Sequence, residues 1–250
     1  VSSAASDVYT RQSTDYAALK VRSEAVPPLD LAAMAIDAAL ADADLSRADI
    51  DALTNMWLHS DQLAVSEGLP DLRVTFEYAA GGRWVVPTLQ HAVQSVAAGS
   101  ADTILLVLAL SRLATYEDSA APGTNTLFEA MHAMGGPAAH SALMARRYSH
   151  EFGDCSAALR QVARSNRANA ALNPAAVFRQ PMTDADYDGA RLIAEPLRLF
   201  DYCMVNDGAV ALIVTNTPAG PAGRAVAIGG LAASADQGAH YSAADFYHRP

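Results

Sequence analysis

The chain has 250 residues, a formal net charge of −10 and an apolar content of 51%, so it can bury a substantial core and is typical of a globular protein. Lys20 is the only lysine among 17 basic residues and no basic run occurs, which argues against a nucleic-acid partner. Cys155 and Cys203 stand far apart without a Cys/His cluster, so neither a disulfide framework nor a metal site is indicated.

The sequence shows no strong signal for a membrane or for export. Its longest apolar run, residues 104–110, is much shorter than the ~20 residues that cross a bilayer, and its N-terminus lacks the pattern of a signal peptide. The two separate cysteines fit a reducing compartment. We therefore expect a soluble, cytoplasmic protein without a membrane span.

The elements of the first half alternate between helix and strand. An amphipathic helix of about 16 residues is predicted after Pro27, with its apolar face formed by Leu29, Leu31, Ala32, Met34, Ala35, Ile36, Ala39 and Leu40. Strands are predicted at "DALTNMWLH" and "LRVTFEY", followed by a helix over residues 85–98. The run "DTILLVLAL" predicts a strand that is buried on both faces.

This alternation predicts the α/β class, with a mixed, mostly parallel sheet between helices. Residues 1–118 form the first part of that unit. Residues 119–190 change in composition and contain helical patterns at 140–152 and 155–172, which predicts an inserted domain. Residues 191–217 are predicted to return to the first unit as a buried strand, and residues 218–250 contain a Pro/Gly-rich linker and one more strand, "RAVAIGGL".

The stretch "EYAAGGRWVVPTLQHAVQSVAAG" predicts a strand, a Gly-Gly turn and a helix. No Ser, Thr or Cys lies between Phe76 and Pro87, so the turn has no nucleophile. It retains backbone N–H groups at a helix amino end, and its two glycines allow a ligand to approach closely. Such a turn can stabilise an oxyanion or enolate without a covalent bond.

Two later segments carry a family resemblance. "HSALMARRYSHEFGDCSAALRQVARSNRANAALNP", followed by "EPLRLFDYCMVNDGAVALIVT", resembles the thiolase superfamily, specifically its lipid-transfer (sterol-carrier) thiolase-like branch. "AIDAALADADLSRADIDAL" and "HAVQSVAAGSADTILLV" extend the resemblance over nearly the whole chain. The resemblance implies a thiolase-like layered fold, an inserted loop domain that shapes an acyl-CoA site, a homodimer, and a second, similar half that "RAVAIGGL" would begin.

Thiolases with the nucleophile present a cysteine at the turn that here contains Gly82. Its absence disfavours acyl transfer through an acyl-enzyme, and the chain resembles the steroid side-chain aldolases of the branch instead. That resemblance implies retro-aldol cleavage of a β-hydroxyacyl-CoA on a steroid or lipid side chain, without a covalent cysteine intermediate. It also implies a small OB-fold or zinc-ribbon partner, and no cofactor besides the coenzyme A of the substrate.

Within this resemblance, Gly82 and His132 are the catalytic candidates, the first through its backbone N–H and the second as the base. The candidate substrate-binding residues are Gly81, Arg83, Trp84, Met134 and Gly135. Trp84 has a second interpretation, in which its indole only fills space. His91 is expected to be a packed or dimer-facing residue, and His140 to cap a helix or face solvent.

Further side chains also have two interpretations. Arg146, Arg147, Arg164 and Arg167 either meet the phosphates of coenzyme A or form a solvated face that pairs with carboxylates. Cys203 is expected to be a small core residue and Cys155 a surface or helix-start residue.

Two other functions stay open at this point. The first is an acyl-CoA acyltransferase of the thiolase type that a partner subunit completes. The second is a non-catalytic scaffold subunit that binds acyl-CoA.

Overall fold

The computed structural model describes residues 4–5, 9–11, 26–69, 71–78, 84–111, 131, 137–174, 176, 178–203, 207–217 and 226–232. These residues fall into two compact units. The first is drawn from residues 1–115 and 206–234, and the second from residues 116–205 and 235–250.

The first unit is built on a seven-stranded sheet. Its strands are β1 (Ala4–Ala5), β2 (Tyr9–Arg11), β3 (Ala52–Met56), β4 (Val74–Tyr78), β5 (Thr103–Leu110), β8 (Gly208–Thr215) and β9 (Val226–Ala227). The remaining two strands, β6 (Leu192–Ala194) and β7 (Leu197–Arg198), lie in the second unit. The sheet order is β4-β3-β5-β8-β1-β9, and β2 also pairs with β8. β3, β4 and β5 run parallel, whereas β8 is antiparallel to β5 along its whole length.

Helices cover both faces of this sheet, so the predicted α/β class with a mixed sheet between helices is confirmed. Helix α1 (Pro28–Ala43) packs on one face with Leu105 and Val107 of β5, near the shorter helix α2 (Ser60–Glu67). Helix α3 (Val85–Ala97) packs on the other face, against Ile104 and Leu106. β5 is therefore buried on both faces, as its continuous apolar run predicts.

Helix α1 has the predicted 16 residues and begins with Pro28 at its first position. The inclusion of Met34 in its buried face is wrong, because this side chain is 42% exposed. At 3.6 residues per turn, Met34 lies on the side of the helix opposite Ala32 and Ala39, which are buried against the sheet. Apolar character alone therefore overestimated the width of the face.

The amino ends of the three parallel strands are joined by one ionic network. The Asp51 carboxylate accepts hydrogen bonds from the backbone N–H groups of Asp102 (2.9 Å) and Thr103 (2.9 Å). The Arg73 guanidinium bonds to Asp51 and, at 2.8 Å, to Asp102. Partial burial disfavours the charge on Asp51, but the two N–H donors and the guanidinium outweigh this effect and hold the pKa of Asp51 below its ordinary value.

The second unit contains helices α4 (Pro137–Phe152), α5 (Ser156–Leu172) and α6 (Asp184–Asp188) and the hairpin of β6 and β7. The helices predicted at 140–152 and 155–172 are thus present with nearly the same ends. None of the helices in the described ranges combines the length and the apolar composition that crossing a bilayer requires.

The predicted return segment, residues 191–217, divides in the structure. Its part up to residue 203 lies in the second unit, where β6 contacts α4 and Asp201 accepts a hydrogen bond from the Tyr187 hydroxyl at 2.8 Å. Only β8 lies in the first unit, where it pairs with β5. The other predicted boundaries, at 118, 190 and 217, remain predictions.

Candidate functional site

The carboxyl ends of β3, β4 and β5 lie at one edge of the sheet, because the three strands are parallel and in register. Met56 of β3 is opposite both Tyr78 of β4 and Leu108 of β5. In open α/β sheets this edge is where ligands bind. β4 ends with Tyr78 at this edge, and α3 begins directly after Trp84; the predicted turn between them lies outside the described residues.

Among the seven predicted site residues, the structure describes Trp84. It immediately precedes α3, its side chain is half-buried, and its backbone carbonyl accepts a hydrogen bond from the Thr88 hydroxyl at 2.6 Å. The other six lie outside the described residues, and their roles remain predictions: Gly81, Gly82, Arg83, His132, Met134 and Gly135.

Aromatic rings pack together on the face of β4 that is turned to α3. The Tyr78 ring centroid lies 6.0 Å from that of Trp84 and 5.6 Å from that of His91. Phe76 lies 5.7 Å from His91. The His91 residue is exposed, but its ring packs against those of Phe76 and Tyr78, which agrees with a packing role for this residue. Trp84 is therefore part of an aromatic cluster that stands beside the amino end of α3.

Tyr78 is a member of this cluster that the residue patterns did not single out. Its hydroxyl oxygen is buried and has no hydrogen-bond partner among the described residues. The alternation of Val74, Phe76 and Tyr78 toward one face is visible in the sequence, and Tyr78 is the last strand residue before the Gly-Gly turn. This position directly before the turn is the feature of the sequence that indicates Tyr78.

The opposite face of β4 carries a polar cluster at the amino end of α2. Glu77 accepts a hydrogen bond from the backbone N–H of Ser60 at 3.1 Å, and its other oxygen lies 3.2 Å from Nδ1 of His59. The Ser60 hydroxyl donates to the fully buried side chain of Asn55 at 2.6 Å. A cavity of about 450 Å³ opens beside this cluster, lined by Ser60, Asp61, Ala64, Thr75 and Glu77. The Glu77 carboxylate thus caps a helix, where the dipole favours negative charge.

The structure gives partners to the four arginines of the second unit that had two interpretations. Arg147 pairs with Glu151 at 2.8 Å, and Arg164 pairs with Asp184 at 2.8 Å. Arg146 lies 3.5 Å from Glu195. The Arg167 guanidinium is 4.8 Å from the centroid of the Phe178 ring, which is a cation–π distance. The three carboxylate pairs favour the interpretation of a solvated face over that of a phosphate site.

The two cysteines lie in the second unit, and both are free thiols. Cys155 is the residue before α5 and is half-buried, which confirms its helix-start position. The predicted core position of Cys203 is wrong, because this residue is exposed. It follows the turn formed by Leu199–Asp201 and lies before β8 begins at Gly208, so the strand does not bury it.

No protein-family model matches the chain. The chain is 38% identical over 219 residues to the 17-hydroxy-3-oxo-4-pregnene-20-carboxyl-CoA lyase of Mycobacterium tuberculosis, a match that covers 81% of this chain and 55% of the lyase. The structure resembles that of the Ltp2-ChsH2(DUF35) aldolase with a TM-score of 0.71 and 30% sequence identity, over 86% of this chain and 55% of that chain. The chain thus spans about half the length of these relatives.

The fold is also that of a monomeric SCP2-thiolase like protein type 1 from Mycobacterium smegmatis. The TM-score is 0.64 at 16% identity, and the match covers 85% of this chain and 45% of that chain. The predicted thiolase-like layered fold is therefore confirmed, and the strand–turn–helix stretch over residues 77–99 contains no cysteine. The chain therefore has a thiolase-like fold and is similar, over most of its own length, to steroid side-chain aldolases.

Proposed function

We propose that this chain is part of a carbon–carbon lyase that cleaves the side chain of a steroid β-hydroxyacyl-CoA by a retro-aldol reaction. The observation that carries the proposal is the 38% identity to a named steroid-CoA lyase over 81% of the chain. The similarity of the structure to an aldolase supports the same reaction class.

The chemistry of the site fits a reaction without a covalent intermediate. Retro-aldol cleavage requires a base that accepts the proton of the β-hydroxyl group and donors that stabilise the enolate of the thioester. Backbone N–H groups at the amino end of α3, Gly82 among them, are the proposed enolate donors, and His132 is the proposed base. No step requires an attacking thiol, so the cysteine-free turn is compatible with the whole reaction.

Substrate binding is assigned to the surroundings of the same turn. We place Gly81, Arg83, Trp84, Met134 and Gly135 against the acyl-CoA. Val85 and Val86, in the first turn of α3, are 43% and 46% exposed, and an apolar steroid suits such a surface. The proposed reaction needs no cofactor beyond the coenzyme A that the substrate carries.

A homodimer and a partner protein are further parts of the proposal. Within the described part of the chain, β4 is the terminal strand of the sheet order, so one edge of its backbone is available for pairing with another chain. The name of the similar Ltp2-ChsH2(DUF35) aldolase joins two proteins. By analogy we propose that a small partner of the OB-fold or zinc-ribbon type binds this protein and is needed for activity.

The proposal is tested with the complete protein purified alone and together with that partner. Steroid β-hydroxyacyl-CoA esters are incubated with each preparation, and the released ketone or aldehyde is quantified by mass spectrometry. Release of a carbonyl product together with the shortened acyl-CoA supports the lyase. Tight binding of the ester without any product, with the partner present, contradicts the lyase and supports the scaffold function instead.

A further inference from the structure

We propose that the hydroxyl group of Tyr78 donates a hydrogen bond to the thioester carbonyl oxygen of the bound acyl-CoA. This inference rests on the proposed function, since it assigns a role at the same edge of the sheet. Tyr78 would thereby be a substrate-positioning residue that recognises the thioester group itself.

The Tyr78 hydroxyl has no hydrogen-bond partner in the part of the chain that the structure describes. Its oxygen is buried and finds no hydrogen bond among the described residues. A buried polar group without a partner is unfavourable, because it has lost its hydrogen bonds to water without replacing them. Most buried hydroxyl groups in folded proteins are paired, and the exceptions are explained by strain, by a functional role, or by a bound water, ion or ligand.

The Tyr78 ring is held in a fixed orientation. It lies between Trp84 at 6.0 Å and His91 at 5.6 Å, and these neighbours restrict its rotation. The hydroxyl therefore cannot turn away to bond elsewhere at little cost. A donor that is held in place before the ligand arrives loses little entropy when the ligand binds.

The location of Tyr78 suits a contact with the thioester. It is the last residue of β4, at the carboxyl ends of the parallel strands. Trp84, whose ring packs against that of Tyr78, immediately precedes α3. An acyl-CoA whose thioester approaches the amino end of α3 brings a carbonyl oxygen close to this edge. That oxygen would be the acceptor that the Tyr78 hydroxyl does not find among the described residues.

A second buried hydroxyl supplies a matched control. The Oγ1 atom of Thr54 in β3 also has no partner among the described residues, and the residue is fully buried. Thr54 lies two positions further from the carboxyl edge, opposite Phe76 rather than Tyr78. Tyr78→Phe removes a hydroxyl and Thr54→Val replaces one by a methyl group, and in both cases the described residues offer that hydroxyl no partner.

The experiment measures affinity by titration calorimetry for two ligands, a steroid acyl-CoA thioester and its thioether analogue with a methylene group in place of the carbonyl. We expect wild type and Thr54→Val to bind the thioester about fivefold to tenfold more tightly than the thioether, as one added hydrogen bond predicts. In Tyr78→Phe this preference should fall about threefold or more, because only the proposed backbone N–H donors at the amino end of α3 still reach the carbonyl. Thermal unfolding of both free variants should occur at the wild-type temperature or above it.

Four results would overturn the proposal. If Tyr78→Phe keeps the wild-type preference for the thioester, or if wild type shows no preference, the hydroxyl does not bind the carbonyl, and the lyase proposal stands unaffected. If Tyr78→Phe unfolds at a lower temperature while its affinities equal those of wild type, the hydroxyl has a structural partner. If wild type binds neither ligand, the proposed function fails and the role of Tyr78 fails with it.

Discussion

At the residue scale, the second unit contains a buried hydroxyl, that of Tyr187, that is hydrogen-bonded. The Tyr187 hydroxyl lies 2.8 Å and 3.0 Å from the two carboxylate oxygens of Asp201, and the residue is 2% exposed. Asp201 also accepts the backbone N–H of Arg198 at 2.6 Å. Together these bonds join α6 to the hairpin of β6 and β7.

Replacing Tyr187 with Phe should destabilise the protein by about 1.5–3 kcal/mol, because a buried bond to a charged group is lost. The loss is measured by urea unfolding at neutral pH. Tyr148→Phe is the control, since Tyr148 is 43% exposed and water can replace its contacts. Equal stability of wild type and Tyr187→Phe would contradict this role of the bond.

The same hydroxyl predicts a loss of stability in alkali. Burial, and then the bond to the Asp201 carboxylate, raise the pKa of Tyr187 above its ordinary value of 10.0. Because the pKa of Tyr187 is higher in the folded than in the unfolded protein, its hydroxyl contributes fully to stability at pH values below the unfolded-state pKa. This contribution is lost as the pH rises through the folded-state pKa. Unfolding curves should therefore show a decline above about pH 10 in wild type that is reduced in Tyr187→Phe.

At the element scale, Asp51 and Arg73 hold the amino ends of β3, β4 and β5 together, so Asp51→Asn should weaken the sheet. We expect a loss of about 1–3 kcal/mol at neutral pH, since Asp51 accepts two backbone N–H bonds and the Arg73 charge. Chemical unfolding measures it. The exposed Asp71 gives the control variant Asp71→Asn, which should have nearly wild-type stability.

The pH dependence of this network follows from the direction in which the pKa of Asp51 is shifted. The folded-state pKa of Asp51 is below its ordinary value of 3.8, so its contribution is present above that value and is lost as pH falls through the folded pKa. Wild type should lose stability steeply below about pH 4, and Asp51→Asn should do so less steeply. Parallel acid profiles for the two proteins would contradict the assignment.

The elements were predictable where the residue pattern was long and regular. The 16 residues of α1 and the eight of β5 bury apolar side chains with a clear period or a continuous run. The split of residues 191–217 was not predictable, because it depends on the contact between Tyr187 and Asp201, which no local pattern indicates.

The site was predictable in part. A glycine turn that precedes a helix and contains no nucleophile is a local pattern, so it is visible directly in the sequence. The packing of Tyr78 between Trp84 and His91 depends on how β4 and α3 pack, which no local pattern contains. The cap that Glu77 places on α2 depends in the same way on two elements that are separate in the chain.

At the scale of the whole molecule, the homodimer proposal rests on the edge of β4 that has no neighbouring strand among the described residues. A lysine at an edge strand opposes pairing with another strand through its charge and hydration. Thr75→Lys, at an exposed position of β4, should therefore lower the molar mass measured by light scattering from dimer to monomer. Val65→Lys, at a residue of α2 that is 83% exposed, should leave the mass unchanged. A dimer in both variants would place the interface elsewhere.

The proposed reaction as a whole cleaves a steroid β-hydroxyacyl-CoA without a cysteine nucleophile. Its most direct test is the steady-state rate of ketone release by the complete protein with its partner, compared with a cysteine-free variant of that protein in which every cysteine, Cys155 and Cys203 among them, is replaced by Ala. Cys155 and Cys203 are the two cysteines of the 250-residue chain. We predict rates that agree within a factor of about two, since no step uses a thiol. Loss of product release in the cysteine-free variant, with substrate binding and folding intact, would contradict a reaction without a thiol.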